Sequence, residues 1–149
     1  MILKLNHKNP RTSEKIYAVF QVSYAIEAKI LKVVDFPPLK RTITQFLNSK
    51  TLFYGYWKNK EIVGVIEIKN NNNSTHIQSL VVDPTYFRRG IASQLIRYLF
   101  NNYDSQLFTV ETGLANEPAI KLYKSFGFIE IKQWNTHHGI RKIKLVLKK

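Results

Sequence analysis

Apolar residues recur along this chain with two different periods, and the change of period marks out its elements. Residues 2 to 6 suit a short first strand. Ile16, Val19, Phe20, Ser23, Ile26 and Ile30 then recur at helical spacing, which predicts a helix from about Glu14 to Lys32 with turn and capping residues supplied by Asn9 to Glu14. The pair Pro37-Pro38 predicts an extended connector, because each proline fixes φ and lacks an amide hydrogen; a short helix from about Arg41 to Asn48 follows. Three strand-like runs come next, Thr51 to Trp57, Glu61 to Lys69 and Thr75 to Val82. They are separated by the turn Lys58-Asn59-Lys60 and by Asn70 to Ser74. The remaining order is helix (Gly90 to Asn102), strand (Leu107 to Thr112), helix (Glu117 to Ser125), strand (Phe128 to Trp134) and strand (Ile140 to Leu147). Antiparallel strands first and strand-helix-strand units after predict an α/β domain with a mixed sheet, and no internal repeat is visible.

A chain of 149 residues that is 44% hydrophobic suits one compact domain spanning 1–149. With no cysteine there is no disulfide framework, no thiolate metal site and no cysteine nucleophile, as a reducing cytoplasm permits. The apolar start at Met1 to Asn6 is too short for a signal peptide, and no run reaches the roughly 18 apolar residues of a membrane span. A soluble, cytoplasmic protein is expected. The formal charge of +13 favours polyanionic partners: nucleic acid, an anionic membrane or a phosphate-rich cofactor. Most lysines are scattered singly. The segment Arg141 to Lys149 alternates charged and apolar residues, the pattern of a strand with one solvated face.

The most informative stretch is Val81 to Ala92, where an apolar strand breaks at Asp83-Pro84 and restarts as a helix through Arg88, Arg89 and Gly90. A helix start presents amides without intrahelical partners and a partial positive charge, so it suits an anion. Gly90 and the small Ala92 let a phosphate approach the backbone, and the two arginines add formal charge. A basic surface turn ahead of an amphipathic helix is the structural alternative.

The run Phe87-Arg88-Arg89-Gly90-Ile91-Ala92 resembles motif A of the GNAT superfamily of N-acetyltransferases, with Phe87 where that family usually has Arg or Gln. Downstream, Asn116 to Phe128 resembles the family's motif B: an asparagine, then Ala119, then Tyr123, then Gly127-Phe128. The resemblance covers roughly residues 50 to 149. It implies a mostly antiparallel sheet with helices on both faces and a splay between the fourth and fifth strands. The pantetheine arm of acetyl-CoA would lie in that splay against backbone groups of Leu80, Val81 and Val82, with its pyrophosphate on Arg88, Arg89, Gly90, Ile91 and Ala92. The resemblance further makes Asn116 a partner of the pantetheine arm and Tyr123 the acid that protonates the leaving thiolate. The alternatives are that Asn116 only caps a helix and that Tyr123 only packs it.

A general base is not fixed by the motifs. Glu67 interrupts the apolar run Ile62 to Ile68, where desolvation favours a basic carboxylate, unless it faces solvent at an open strand end. Glu111, His76 and water are further choices, and Glu27 and Tyr24 on the first helix would face the acceptor. His137-His138 reads as a loop, and no metal site is expected. The expected activity is transfer of an acetyl group to a primary amine by direct attack, without a covalent enzyme intermediate. The competing reading is a basic binding module, for nucleic acid or a protein partner, that keeps the fold without the activity. Neither the amine acceptor nor the oligomeric state is legible.

Overall fold

The computed structural model describes residues 1–149, built as one seven-stranded sheet in the order β1-β2-β3-β4-β5-β7-β6. The strands are β1 (Ile2–Leu5), β2 (Leu52–Lys58), β3 (Glu61–Asn71), β4 (Ser74–Val82), β5 (Leu107–Gly113), β6 (Ile129–Asn135) and β7 (Arg141–Lys148); the helices are α1 (Pro10–Leu31), α2 (Ile43–Leu47), α3 (Ile91–Asn102) and α4 (Glu117–Ser125). All neighbours pair antiparallel except β4 and β5, which are parallel and joined through α3. The α/β class and the predominantly antiparallel sheet agree with expectation. No helix is long and apolar enough to cross a membrane.

Two clusters of buried side chains lie on opposite faces of the sheet. On one, Ile16, Val19 and Phe20 of α1 and Phe46 of α2 meet Phe53, Val65 and Val81. On the other, Leu95, Ile96 and Leu99 of α3 and Tyr123 of α4 meet Ile66, Ile68, Ile77 and Phe108. Helices therefore lie on both faces.

Several boundaries differ from the sequence reading, each for a local reason. α1 starts at Pro10 rather than Glu14, because Asn9 caps it, accepting from the amides of Arg11 and Thr12 at 2.9 and 3.4 Å, and Pro10 takes a first-turn position that needs no donor. The connector after α1 is not extended. Pro37–Lys40 form a turn of 3₁₀ helix, for which the fixed proline φ is equally suited. β3 continues into the asparagine run as far as Asn71, and a second 3₁₀ turn, Pro84–Tyr86, stands between β4 and the glycine of the cradle.

β4 and β5 are the pair that positions the site. They are in register only from Ser74↔Leu107 to Ile77↔Val110, after which no pairing continues. The register of β4 on β3 shifts at the same place, from Ile68↔Ile77 to Glu67↔Ser79, leaving Gln78 as the extra residue of a bulge. A bulge bends its strand and re-aims the side chains beyond it, so β4 turns away from β5 at Gln78. The expected splay is present.

Candidate active site

The parting of β4 from β5 opens a cleft of about 990 Å³ that crosses the sheet. Ser23, Tyr24 and Glu27 of α1 line it from one face, Ala119 and Tyr123 of α4 from the other. The α3 start closes one end, while Phe36 to Pro38, Ile140 just before β7 and Lys142 on it border the other.

At the α3 end, Gly90 occupies the N-cap with φ 75° and offers no side chain to the helix. That φ is the left-handed region glycine adopts without strain. Gln94 N–H donates to Gly90 O at 3.0 Å, so the amides of Ile91, Ala92 and Ser93 precede the helical ladder and face outward. Gly90, Ile91, Ala92 and Arg88 line the cleft, and Arg88 itself has φ 63°. Arg89 does not line it. Its guanidinium lies over the Tyr86 ring, 5.1 Å from the centroid, so the turn directs one arginine to the cleft and the other onto an aromatic face. Phe87, at the position usual for Arg or Gln, is 44% exposed on the cleft wall.

Alternation divides the three β4 residues expected to present backbone. Asp83 N–H donates to Val63 O, so with the register Val65↔Val81 the main-chain groups of Val81 belong to the β3 ladder. Those of Leu80 and Val82 point the other way, into the splay, where Val82 N–H meets Ser23 Oγ at 3.4 Å. Val81 thus leaves the expected set: its side chain is buried under α1 and its backbone is already paired.

Across the cleft, Asn116 Nδ2 donates to Glu27 Oε1 at 2.6 Å. Asn116 also caps α4, its Oδ1 accepting from Ala119 N–H at 3.4 Å. The cap and the cleft contact coexist in one side chain. Burial raises the Glu27 carboxyl above the ordinary range, against the opposing pull of the Asn116 hydrogen bond and of Lys142. Burial likewise raises the Tyr123 phenol, with the nearby oxygens of Tyr24 and Glu27 adding to it, and it raises Tyr24 in the same way. Both phenols stay protonated at neutral pH.

Glu67 stands elsewhere. It is fully buried beneath the cleft floor and does not line it. Arg41 binds both of its oxygens, at 2.7 and 2.8 Å, and the Thr51 and Ser79 hydroxyls donate to them at 2.6 and 2.9 Å. Arg41 in turn lies 4.1 Å from the Phe46 centroid and closes the cleft wall with Ser79. A carboxylate with four donors and no access to the cleft anchors neighbours; it has no free lone pair aimed at an acceptor. The solvent-facing strand end is not found, and the buried carboxylate has its partner in Arg41. His76 also lies off the cleft, its Nδ1 2.7 Å from Thr109 Oγ1, whereas Glu111 lines it and is exposed. Arg41 and Ser23 sit in no motif, and only the packing of α1 and of the connector onto the sheet brings them to the site.

Residues 21–149 match the acetyltransferase (GNAT) domain family. The UPF0157 protein YqkA of Bacillus subtilis is 30% identical over 158 residues, covering 99% of this chain and 46% of that protein. The chain spans between 38% and 54% of the length of the curated relatives it matches. The ribosomal-protein-S18-alanine N-acetyltransferase of Escherichia coli shares the fold with a TM-score of 0.77 at 19% identity, over 99% of this chain and 92% of that one. The PaiA N-acetyltransferase of Thermoplasma acidophilum, solved with coenzyme A, superposes with a TM-score of 0.77 at 17% identity, over 100% and 98%.

Proposed function

The chain belongs to the GNAT acetyltransferase family, and we propose that it transfers the acetyl group of acetyl-CoA to a primary amine by direct attack. The observation that supports this most is the continuity of one cleft from the bare amides of Ile91, Ala92 and Ser93, through the parted backbone of β4, to a half-buried carboxylate and a buried phenol. The residues present fit such a donor. A helix start with a glycine cap suits its phosphates, and the edge of Leu80 and Val82, unpaired with β5, suits an amide-bearing arm.

Acetyl-CoA supplies the activated acetyl thioester; the chain supplies placement and protons. Glu27, raised by burial, takes a proton from the acceptor ammonium, which must be neutral to attack. Asn116 fixes the Glu27 carboxylate by one oxygen and leaves the other free. Outward amides of β4 offer the donors that stabilise negative charge developing on the carbonyl oxygen. Tyr123, protonated and enclosed, gives its proton to the departing sulfur. Glu67, held by Arg41 and Ser79, fixes the bulge of β4 from below and acts through position rather than proton transfer.

Calorimetric titration with acetyl-CoA, followed by a screen of primary amines for thiol release, tests the proposal. Saturable binding and amine-dependent thiol release are expected. Absence of acetyl-CoA binding by the folded protein would overturn it.

A further inference from the structure

The sheet has a half-face without a helix. α1 and α2 cover β1 to β4 on their side, and the end of α1 reaches β5 only at Gly113, where a Cβ would come within 2.5 Å of a Leu31 methyl. Beyond that point the face formed by β5, β7 and β6 carries none of the buried α1 and α2 clusters.

Register and burial fix which side chains stand there. Ile143 and Leu145 of β7 pack under α3 and α4, so Lys142, Lys144 and Val146 point to the opposite, open side. Their partners point the same way: Glu111 opposite Lys144 on β5, and Lys132 and Trp134 of β6 opposite Lys144 and Lys142. At the β4 side, His76 pairs with Lys69. The groups gather closely enough for the His76 imidazole, held below its ordinary value chiefly by burial, to feel Lys144, Lys69 and Lys142 in the same direction and Glu111 against it. Four lysines face one carboxylate.

Two features distinguish this from an ordinary solvated face. Lys132 and Lys144 stand directly opposite each other, a like-charge pair offset only by Glu111 on the far side of Lys144. Trp134 is only half-buried beside them, with Lys132 Nζ 5.0 Å from its ring centroid. The same face exposes Ile129 at 60% opposite the buried Val146. A second copy of this chain would bring lysines against lysines, so the charge selects an anionic occupant.

We propose that this open half-face binds single-stranded nucleic acid, with Lys132, Lys142, Lys144 and Lys69 on successive phosphates and Trp134 stacking a base. Lysines two residues apart on β7 are separated by about 6.7 Å, close to the phosphate spacing of an extended single strand. A sheet face carrying an aromatic platform amid basic residues is the arrangement that takes splayed-out bases, which a duplex does not offer. An acidic polypeptide would use the lysines but gain little from Trp134. The net charge of +13 supplies the attraction at a distance.

The test is fluorescence anisotropy of the full chain with a labelled oligouridylate of about 12 nucleotides, beside a duplex and a polyglutamate competitor. Expected are binding with quenched tryptophan emission, weaker duplex binding, and an affinity falling with salt at a log–log slope of about −2 to −3, as four phosphate contacts require. The double variant Lys132→Glu/Lys144→Glu should lose at least about tenfold, and Trp134→Ala should lose about tenfold together with the quench. Thermal melts of the same variants report that they fold. Independently of any variant, the oligonucleotide should protect Lys132 and Lys144 of the native chain from amine-reactive labelling. No binding at low salt, equal displacement by polyglutamate, or unprotected lysines in the complex would overturn the proposal, and none of these results bears on acetyl transfer.

Discussion

Asn116 Nδ2 donates to Glu27 Oε1 at 2.6 Å, joining the N-cap of α4 to the fifth turn of α1 across the cleft. The contact makes one asparagine serve two ends. Its oxygen terminates α4 and its nitrogen aims a carboxylate whose charge burial disfavours.

That geometry predicts an acid limb in the rate. Glu27 must be ionised to accept a proton, so kcat/KM should rise with pH through an apparent pKa above the ordinary carboxylate value of 4.5. Lys142 pulls that pKa down, so Lys142→Gln should move the limb upward. Glu27→Gln should lower kcat by about 10²-fold and abolish the limb. Stability gives a second readout with a definite sign. A carboxyl whose folded pKa lies above its unfolded pKa stabilises fully below the unfolded value and loses that contribution as pH rises through the folded one. Glu27→Gln should therefore melt no lower than the native chain at neutral pH, and its advantage should disappear on acidification towards pH 4.5. A thermal melt that falls sharply at neutral pH would contradict this.

Asn116→Ser separates the two duties. Serine keeps an N-cap acceptor, so the melting free energy should change by no more than about 0.5 kcal/mol, while the amide donor to Glu27 is gone and the acid limb should move upward. Asn116→Ala should add the cap loss, about 1 kcal/mol. Denaturant melts and pH–rate profiles of the pair check it.

Glu67 and Arg41 behave as one unit. Removing either partner of a buried, bidentate pair strands the other, so Glu67→Ala or Arg41→Ala should destabilise by about 3–5 kcal/mol. Glu67→Gln, which retains shape, should leave the pH–rate profile in place while raising KM, because Ser79 and the connector ending at Arg41 lose their anchor. Loss of the acid limb in Glu67→Gln would instead make Glu67 the base.

Much of this layout was legible, and the exceptions follow one rule. Period-2 and period-3.6 patterns are local, so the strands, the helices and their order could be read from neighbours alone. So could Gly90, since its glycine, small neighbour and flanking strand lie within a few residues. What failed was whatever depends on distant packing. Glu67 looked like a solitary carboxylate because Arg41 is 26 residues away. Val81 looked equivalent to Leu80 and Val82 because the ladder that consumes its backbone belongs to β3. Arg89 looked like a phosphate ligand because nothing in the sequence reveals that it lies on Tyr86. The lysines of β6 and β7 seemed scattered until antiparallel pairing stacked them on one face.

The cradle is tested by Gly90→Ala. At φ 75° a Cβ costs about 1 kcal/mol of backbone strain, with no neighbour nearer than Gln94 Nε2 at 3.9 Å to clash with it. The free chain should thus lose little stability. The methyl projects where a phosphate would approach, so acetyl-CoA affinity should fall at least about tenfold, a loss worth about 1.4 kcal/mol. Arg88→Ala should weaken binding and its salt dependence, whereas Arg89→Ala, already turned onto Tyr86, should change both less. Calorimetry at two salt concentrations distinguishes them, and equal losses for the two arginines would overturn the orientation described.

Tyr123 gives the sharpest test of the chemistry. Its ring packs at 5.5 Å from that of Phe128, while its hydroxyl is the only polar atom it brings to the cleft. Tyr123→Phe removes that oxygen and keeps the ring, so packing should change little and any effect on rate reports the proton. If the phenol protonates the departing sulfur, kcat should fall by about 10²-fold with acetyl-CoA affinity unchanged. The loss should also shrink for donors whose thiol is a better leaving group, since an acidic thiol needs less help to depart. A purely structural tyrosine would lower stability and affect all donors alike. Burial sets the sign of the pH effect as well: with its pKa raised, the phenol remains a donor throughout the neutral range, so no basic limb from Tyr123 should appear near pH 10, its ordinary value. A rate that falls through pH 10 in the native enzyme and not in Tyr123→Phe would show the phenol to be less enclosed than its place between α4 and the sheet requires.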